Sequence, residues 1–375
     1  MEKLEAGNST FVLDPNRGCQ WLELSLCPPG KNESISIIKG FNSLENFFGS
    51  GCFLMFPWVN RMWPNQFWYK NDSPISTSTH PKEQPERDLE KNEILEEDSR
   101  WVFDEKGYPL HGLVHSESWK KTEIHGQYVL DCSQLLISNP TNPNENRVKQ
   151  FYKKLCNILL FQTFTLSSSK LVVELKIKNN GKESFDFGMG WHPYIKLPFG
   201  RVDEWEINFL ENLQEISLDE NLLPNFKNLK YEKFENDDKD LSRNFSSKNN
   251  ELYMETFTSS SHSSNSFLSK HFKRHNQLGA VKLDNLYQFN SKSRIQIAHP
   301  SVTFALEIES NSQHPFEPMK YWQIYTPDDR QSLAIEPMSA PGNFENIQEI
   351  LTNRIDSQEE KKFQFSISLR MKNAL

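Results

Sequence analysis

Alternation of apolar and polar side chains is the feature that most constrains the fold of this chain. Apolar residues occupy every second position of several segments: Leu22, Leu24 and Leu26; Leu171, Val173, Leu175 and Ile177; Phe304, Leu306 and Ile308; Phe363, Phe365, Ile367, Leu369 and Met371. Successive side chains of a strand point to opposite faces, so each pattern predicts a half-buried strand. Few segments carry a sustained helical period. Many strands without intervening helices predict an all-β fold of stacked, largely antiparallel sheets.

Two polar stretches interrupt the strand patterns, one near residues 71–100 and one near 231–277. Their composition buries too little apolar area to offset the entropy lost on ordering, so they are predicted to be loop insertions. Strand patterns resume on both sides of each stretch. The chain therefore reads as one domain, 1–375, whose core is supplied largely by 27 Phe, 10 Tyr and 9 Trp despite a mean hydropathy of −0.68.

Charge and cysteine content limit the partners and the compartment. A formal net charge of −8 argues against nucleic acid as a partner, because phosphate binding needs clustered Lys and Arg. No apolar run is long enough to cross a membrane, and the first residues lack an apolar signal core. The five cysteines are an odd set without metal-ligand spacing, so we expect reduced thiols and a cytoplasmic location. We further expect a monomer or homodimer.

Two residues next to prolines indicate acid–base chemistry. His192 lies within Gly190–Tyr194 and is followed by Pro193, and Glu336 precedes Pro337. A histidine can donate a proton near neutral pH, and a carboxylate can accept one. Proline stiffens the backbone on which each of them is carried. The combination predicts an enzyme.

Four short motifs follow one another along the chain. They are Phe56-Pro57 with Asn60-Arg61, His111-Gly112, His192-Pro193-Tyr194 and Glu336-Pro337. Together they resemble the aldose 1-epimerase (galactose mutarotase-like) superfamily. The resemblance implies a β-supersandwich of stacked, largely antiparallel sheets. It also implies interconversion of the α and β anomers of a free hexose, a small-molecule sugar, with no metal, nucleotide or redox cofactor.

The same resemblance assigns roles to seven residues. Glu336 would be the base that takes the proton from the C1 hydroxyl, and His192 the acid that protonates the ring oxygen. Five further residues would bind the sugar. Arg61, His111 and Asp284 would contact the oxygens of the sugar, and Trp191 and Tyr194 would form an apolar wall.

Simpler structural interpretations of these residues remain open at this point. His192 can be a core histidine with its hydrogen bonds satisfied, and His111 a turn residue. Asp284 also fits a turn closed by its own side chain. Arg61 can cover a core edge or pair with a carboxylate, and Trp191 can be ordinary packing. His115 is interpreted as an exposed strand residue outside the site.

Three other functions are alternatives to anomer interconversion. A hexose-6-phosphate 1-epimerase needs additional cations for the phosphate, and relatives of that type resemble His-Gly-Phe-Ala-Arg where this chain ends the motif in His115. A non-catalytic carbohydrate-binding protein has no need of both Glu336 and His192. A glycosidase can use a carboxylate pair such as Asp284 and Glu336, but it leaves the His-Pro-aromatic motif without a role.

Overall fold

The computed structural model describes residues 1–40, 47–62, 100–135, 145–210, 213–225, 278–289, 293–344 and 353–372. The two predicted insertions lie outside these ranges, except for Arg100. Within them almost all regular structure is strand. The helical segments are one α-helix, α1 (Glu145–Leu155), and three short 3-10 turns (Phe47–Gly49, Cys132–Leu135 and Val202–Glu204). The all-β prediction is confirmed.

The strands of the described ranges are numbered in chain order. They are β1 (Glu2–Ala6), β2 (Ser9–Asp14), β3 (Gln20–Leu26), β4 (Ile35–Ser36), β5 (Leu54–Met55), β6 (Val102–Phe103), β7 (Pro109–Leu110), β8 (Lys120–Lys121), β9 (Gln127–Asp131), β10 (Ile158–Ser167), β11 (Lys170–Asn179), β12 (Phe185–Phe187), β13 (Gly190–Trp191), β14 (Tyr194–Ile195), β15 (Glu206–Phe209), β16 (Leu213–Ile216), β17 (Asp284–Phe289), β18 (Ser293–Ala298), β19 (Phe304–Asn311), β20 (Tyr321–Tyr325), β21 (Leu333–Met338), β22 (Asn353–Ile355) and β23 (Glu360–Met371).

Three larger sheets and two strand pairs organise these elements. The largest sheet has eight strands in the order β15-β18-β19-β23-β11-β10-β9-β8. A second sheet runs β16-β17-β20-β21-β13-β5, with β14 also paired to β21, and a third runs β1-β2-β3-β4. The pairs are β12-β22 and β6-β7. Every ladder between these strands is antiparallel.

The alternation of the sequence sets which face of each strand is buried. All four apolar residues predicted on β11 are buried, and so are Phe363, Phe365, Ile367 and Leu369 on β23. Each such side chain contributes about 1.5–3 kcal/mol when it is removed from water. Met371 departs from the pattern and is 47% exposed. It pairs with Phe304, which is itself half-buried, because both lie where the ladder ends.

A β-bulge changes the predicted pattern of β3. The register with β2 shifts between Val12 and Leu13, so that Val12 pairs with Glu23 while Leu13 pairs with Trp21. Leu22 is the extra residue and is only half-buried, whereas Trp21 is buried. A bulge inserts one residue and so moves the following side chains to the other face.

The two largest sheets pack face to face. Trp191 of the seven-stranded sheet contacts Phe365 of the eight-stranded sheet, with ring centroids 4.7 Å apart. Phe365 also stacks on Trp21 of the four-stranded sheet at 6.0 Å. This aromatic layer occupies one face of the seven-stranded sheet and leaves the opposite face for other contacts.

Helix α1 was not predicted from the sequence. Tyr152 and Leu155 are buried one turn apart, and the Trp101 indole donates a 3.0 Å hydrogen bond to the Tyr152 hydroxyl. A spacing of three to four residues is typical of a helix face. The pattern is short, and the polar residues around it hide it.

All five cysteines are free, four of them buried. None of the helices in the described ranges is long and apolar enough to span a membrane. The cytoplasmic location stays a prediction.

Candidate active site

Trp191, the last residue of β13, and His192, which follows it, point to opposite faces of the sheet. Trp191 points into the aromatic layer, where its indole donates to Gln162 at 3.2 Å. His192 follows it and points to the opposite face of the sheet. Gly190 makes the close strand pairing possible, because a Cβ there would lie 2.8 Å from the Met338 side chain. Trp191 therefore lies on the face opposite His192, and a packing role replaces its predicted contact with the sugar.

His192 and Glu336 form a buried acid–base pair on that opposite face. Their Nε2 and Oε1 atoms are 3.1 Å apart, and the side chains are only 5% and 2% exposed. The imidazole is held between two rings, with Phe53 stacked at 4.9 Å and Tyr194 at 4.7 Å between centroids. Tyr194 is fixed in turn because its hydroxyl donates to the Phe48 carbonyl. Tyr194 thus supports the histidine with one face of its ring.

Burial shifts the pKa values of the pair in opposite directions. It raises the pKa of Glu336 well above its ordinary value, with a further rise from the charge of Asp284 and an opposing effect of Arg61. It lowers the pKa of His192 to about 3. Both shifts favour uncharged forms, as expected for ionisable groups removed from water. The pair then holds one proton, which the 3.1 Å contact allows to lie on either partner.

Among the described residues, the second oxygen of Glu336 has no hydrogen-bond partner. Glu336 Oε2 is buried and accepts no hydrogen bond from any group in the described parts of the chain. A buried carboxylate oxygen is ordinarily hydrogen-bonded, and leaving one unpaired costs about 1–3 kcal/mol. The orphaned oxygen lies beside the proton of the pair, so a ligand hydroxyl is the missing partner that its chemistry calls for.

Asp284 of β17 lies on the same face and is held there by Gln323, a residue that was not predicted from the sequence. Gln323 is 4% exposed, pairs with Glu336 across β20 and β21, and donates from Nε2 to Asp284 Oδ1 at 2.6 Å. Burial raises the pKa of Asp284, while the Gln323 hydrogen bond and the charge of Arg61 oppose the rise. In the sequence, Gln323 is marked only by its position in the strand that precedes Glu336. That position indicates a site residue only when the pairing of β20 with β21 is known.

Arg61 and His111 approach from the other side of the pair. The Arg61 guanidinium is 22% exposed and donates from Nε to Asp104 Oδ2 at 2.8 Å. The His111 ring lies edge-on to that of His192, 5.2 Å away, and its Nδ1 is 3.1 Å from the Met55 sulfur. Burial lowers the pKa of His111 well below its ordinary value. It therefore acts as a neutral hydrogen-bonding group.

Local backbone conformation explains why His111 is followed by glycine. Asn60 and His111 both adopt positive φ, at 46° and 59°, and are joined by a 3.0 Å bond from the His111 amide to the Asn60 carbonyl. Gly112 has φ +77°, and a Cβ there would lie 2.1 Å from the Phe56 carbonyl oxygen. Only glycine allows this approach, which brings two of the predicted motifs together.

His115 is not the exposed strand residue that was predicted. It lies in a turn, is 2% exposed, and its Nε2 is 3.2 Å from the Arg100 carbonyl oxygen. Its ring packs edge-on against Phe48 at 5.0 Å. Burial lowers its pKa to about 4. Apolar contacts around the cleft explain the difference, because neighbours distant in sequence cover the turn.

Six of the seven predicted residues thus gather on one face of the seven-stranded sheet. In the described ranges no group of three or more His, Cys, Asp or Glu side chains is placed to hold a metal ion. The arrangement is an acid and a base in contact, with Arg61, His111 and Asp284 partly exposed around them. It can transfer a proton to one oxygen of a ligand while removing a proton from another.

Comparison with solved structures assigns the fold to a class. A candidate aldose 1-epimerase from Escherichia coli K12 is 15% identical, with 99% of this chain and 98% of that chain covered and a TM-score of 0.57. A galactose mutarotase-like protein from Clostridium acetobutylicum is 13% identical, with 99% and 95% covered and a TM-score of 0.59. An aldose epimerase homologue from C. elegans is 12% identical, with 99% and 99% covered and a TM-score of 0.55. The fold is galactose mutarotase-like, as the motifs implied.

Sequence comparison places the chain more narrowly. A model of the aldose 1-epimerase family matches residues 96–368, which is more than half of the chain. No curated protein matches it by sequence. The chain belongs to the aldose 1-epimerase family.

Proposed function

We propose that this protein is an aldose 1-epimerase that interconverts the α and β anomers of a free, unphosphorylated hexose. The observation that carries the proposal is the His192–Glu336 contact of 3.1 Å beside an orphaned, buried carboxylate oxygen. Anomer interconversion needs one acid and one base near two oxygens on the same carbon. An acid–base pair in contact meets that need.

The proposed reaction moves one proton at each of two atoms. Glu336, as carboxylate, takes the proton from the C1 hydroxyl while His192, as imidazolium, protonates the ring oxygen. The C1–O5 bond breaks, and C1 becomes the aldehyde carbon. Rotation about C1–C2 and reclosure, with the two transfers reversed, give the other anomer. The pair regains its starting protons.

The environment of the pair favours ring opening. In the reacting form the shared proton lies on His192, which burial disfavours, and after ring opening Glu336 is protonated and His192 is neutral. Burial raises the pKa of Glu336 and lowers that of His192, so the opened state carries the uncharged forms that a buried site prefers. Arg61 opposes part of this shift and keeps the carboxylate form accessible.

The partly exposed residues around the pair support binding of a polyhydroxylated ring. Asp284 keeps its second oxygen for a sugar hydroxyl while its first is held by Gln323. The Arg61 fork and the neutral His111 ring supply donors on the other side of the pair. Charged and polar groups that are preorganised in a partly dry site orient a hydroxylated ligand at low entropic cost.

The charges at the site support an unphosphorylated substrate. The His192–Glu336 pair is neutral overall, Arg61 is matched by Asp104, and Asp284 adds a negative charge. His115 stands where the arginine of phosphate-type relatives was expected, and burial lowers its pKa to about 4, so it is uncharged at neutral pH. A phosphate dianion would therefore meet no surplus positive charge from these residues.

Polarimetry tests the proposal directly. Freshly dissolved α-D-glucose and α-D-galactose are followed toward anomeric equilibrium with wild type, Glu336→Gln and His192→Asn, and glucose 6-phosphate is followed in parallel. Wild type should accelerate a free hexose, and each variant should lose most of that acceleration. Glu215→Gln is the matched control, because it removes a half-buried carboxyl from the opposite face of the same sheet.

Three outcomes would contradict the proposal in different ways. No acceleration of any free aldose, with sugar still bound, would indicate a carbohydrate-binding protein without turnover. Acceleration restricted to glucose 6-phosphate would transfer the assignment to a sugar-phosphate epimerase. Full activity in both site variants would remove Glu336 and His192 from the reaction.

A further inference from the structure

We propose that Asp104 is a positioning residue that fixes the Arg61 guanidinium in the sugar-binding orientation. This inference rests on the proposed function, because it assigns the support of one of the proposed sugar-binding groups. Asp104 was not among the residues selected from the sequence. It lies in the turn between β6 and β7.

Both oxygens of the Asp104 carboxylate accept hydrogen bonds. Oδ1 accepts from the backbone amides of Lys106 and Tyr108, each at 2.9 Å, and Oδ2 accepts from Arg61 Nε at 2.8 Å. The side chain is 12% exposed. The two amide bonds hold the carboxylate rigidly within its own turn. Its second oxygen can then hold Arg61 in one place.

The hairpin that carries Asp104 runs alongside both sugar-binding residues on this side of the cleft. Arg61 forms an isolated bridge with Leu110, and the amide of Met62 donates to the Pro109 carbonyl at 3.1 Å. The next residue after the hairpin is His111. One rigid unit therefore positions Arg61 through a side chain and His111 through the main chain.

The contact with Asp104 uses the Nε edge of the Arg61 guanidinium. The charge of Arg61 lowers the pKa of Glu336, Asp284 and His111, which surround the candidate sugar position. Arginine presents its donors in one plane. Fixing the Nε edge therefore fixes the plane in which the remaining N–H groups meet a sugar oxygen.

Asp104→Asn separates this role from the role of the turn. The asparagine Oδ1 can still accept from the two backbone amides, but its NH₂ group would face the Arg61 Nε donor. The turn is retained while the link to Arg61 is lost. Asp104→Ser is a second variant, since a hydroxyl can accept from the same amides and carries no charge.

The experiment measures steady-state anomerisation, sugar binding by calorimetry and thermal unfolding for wild type, Asp104→Asn, Asp104→Ser, Arg61→Ala and the Asp104→Asn/Arg61→Ala double variant. We expect Asp104→Asn to raise KM and the sugar Kd about tenfold and to change kcat about threefold or less, which corresponds to one lost charge-assisted contact in binding. The double variant should be no worse than Arg61→Ala alone, because coupled residues are not additive. Glu307→Gln is the control, since it breaks an Nε–carboxylate pair of 2.7 Å with Arg370 in the eight-stranded sheet.

The outcomes distinguish this inference from the proposed function. Unchanged KM and Kd in both Asp104 variants, or additive losses in the double variant, would overturn the positioning role. An equal loss of affinity in Glu307→Gln would show a general stability effect and would overturn it as well. If wild type binds sugar without turning it over, the proposed function fails, while the Kd values still decide the role of Asp104.

Discussion

Two pairs of one basic and one acidic side chain lie at this site, and they differ in what their burial allows. His192 and Glu336 are 5% and 2% exposed and meet at 3.1 Å, whereas Arg61 and Asp104 are 22% and 12% exposed and meet at 2.8 Å. Within the described part of the chain Glu336 keeps one oxygen without a hydrogen-bond partner, while both oxygens of Asp104 accept hydrogen bonds. The first pair can exchange a proton. The second holds a fixed charge.

The chemistry of the cation explains this division of roles. A buried carboxylate and imidazole can become neutral by passing a proton between them, which avoids the cost of burying two charges. Arginine keeps its proton at any pH that the protein experiences. Its pair therefore stays ionic, nearer solvent, and serves for orientation. The deep pair, His192 and Glu336, is suited to catalysis, and the outer pair, Arg61 and Asp104, is suited to binding.

The largest expected effect comes from breaking the deep pair at both ends. Glu336→Gln and His192→Asn should each lower kcat about 10³-fold, within the range for loss of a general acid or base. The double variant should be about as slow as either single variant, because the two residues act as a unit. The measurement is kcat by polarimetry for the four proteins of the cycle. Multiplicative losses would indicate two independent roles instead of one proton-sharing pair.

A smaller effect is expected from changing the cation of the outer pair. Arg61→Lys keeps the charge, but an ammonium group cannot hold Asp104 with one edge and face the sugar with another. KM should rise about tenfold, equivalent to about 1.4 kcal/mol, while kcat changes little. Arg201→Lys, at a 75% exposed arginine, is the control. A large fall in kcat with unchanged KM would place Arg61 in the chemical step.

The contrast between the pairs also shows what the sequence reveals. The alternation on β11 predicted its buried face residue by residue. His192 and Glu336 could be selected because each precedes a proline in one of the four motifs. Asp104 and Gln323 could not be selected, since their roles depend on which strands become neighbours. Nor could the sequence predict the β-bulge at Leu22, which arises from pairing with β2. Local patterns identify groups that do chemistry, whereas tertiary contacts identify the groups that hold them.

His115 is buried like His192 and provides a comparison with the deep pair. The Nε2 atom of His115 lies 3.2 Å from the Arg100 carbonyl oxygen. Its pKa is lowered from 6.5 to about 4, so the unfolded chain binds a proton below pH 6.5 that the folded protein does not bind until about pH 4. Protons therefore favour unfolding, and stability is present above pH 6.5 and is lost as the pH falls toward 4.

His115→Gln should remove that pH dependence while keeping a donor for the Arg100 carbonyl. The free energy of unfolding should fall less steeply between pH 6.5 and 4, by up to about 1.4 kcal/mol per pH unit. Denaturant unfolding at several pH values measures the slope. The kcat at pH 7.5 should change little, because His115 is neutral there and takes no proposed part in the reaction. Equal slopes in both proteins would mean that His115 is protonated in the folded state.

The smallest effect is expected on the other face of the same sheet. Glu215 pairs with Tyr287 on the core side, and its Oε1 accepts a 2.8 Å bond from Asn285. Burial raises its pKa to about 7 from 4.5, so the folded protein keeps a proton that the unfolded chain releases. Stability from this group is present below pH 4.5 and is lost as the pH rises through 7. Glu215→Gln keeps the acceptor for Asn285 and should make the protein slightly more stable at pH 8 than wild type. Anomerisation should be unchanged, measured in parallel with unfolding. A loss of activity would show that a half-buried carboxyl influences the reaction from the core face, and the division between the deep pair and its surroundings would then be wrong.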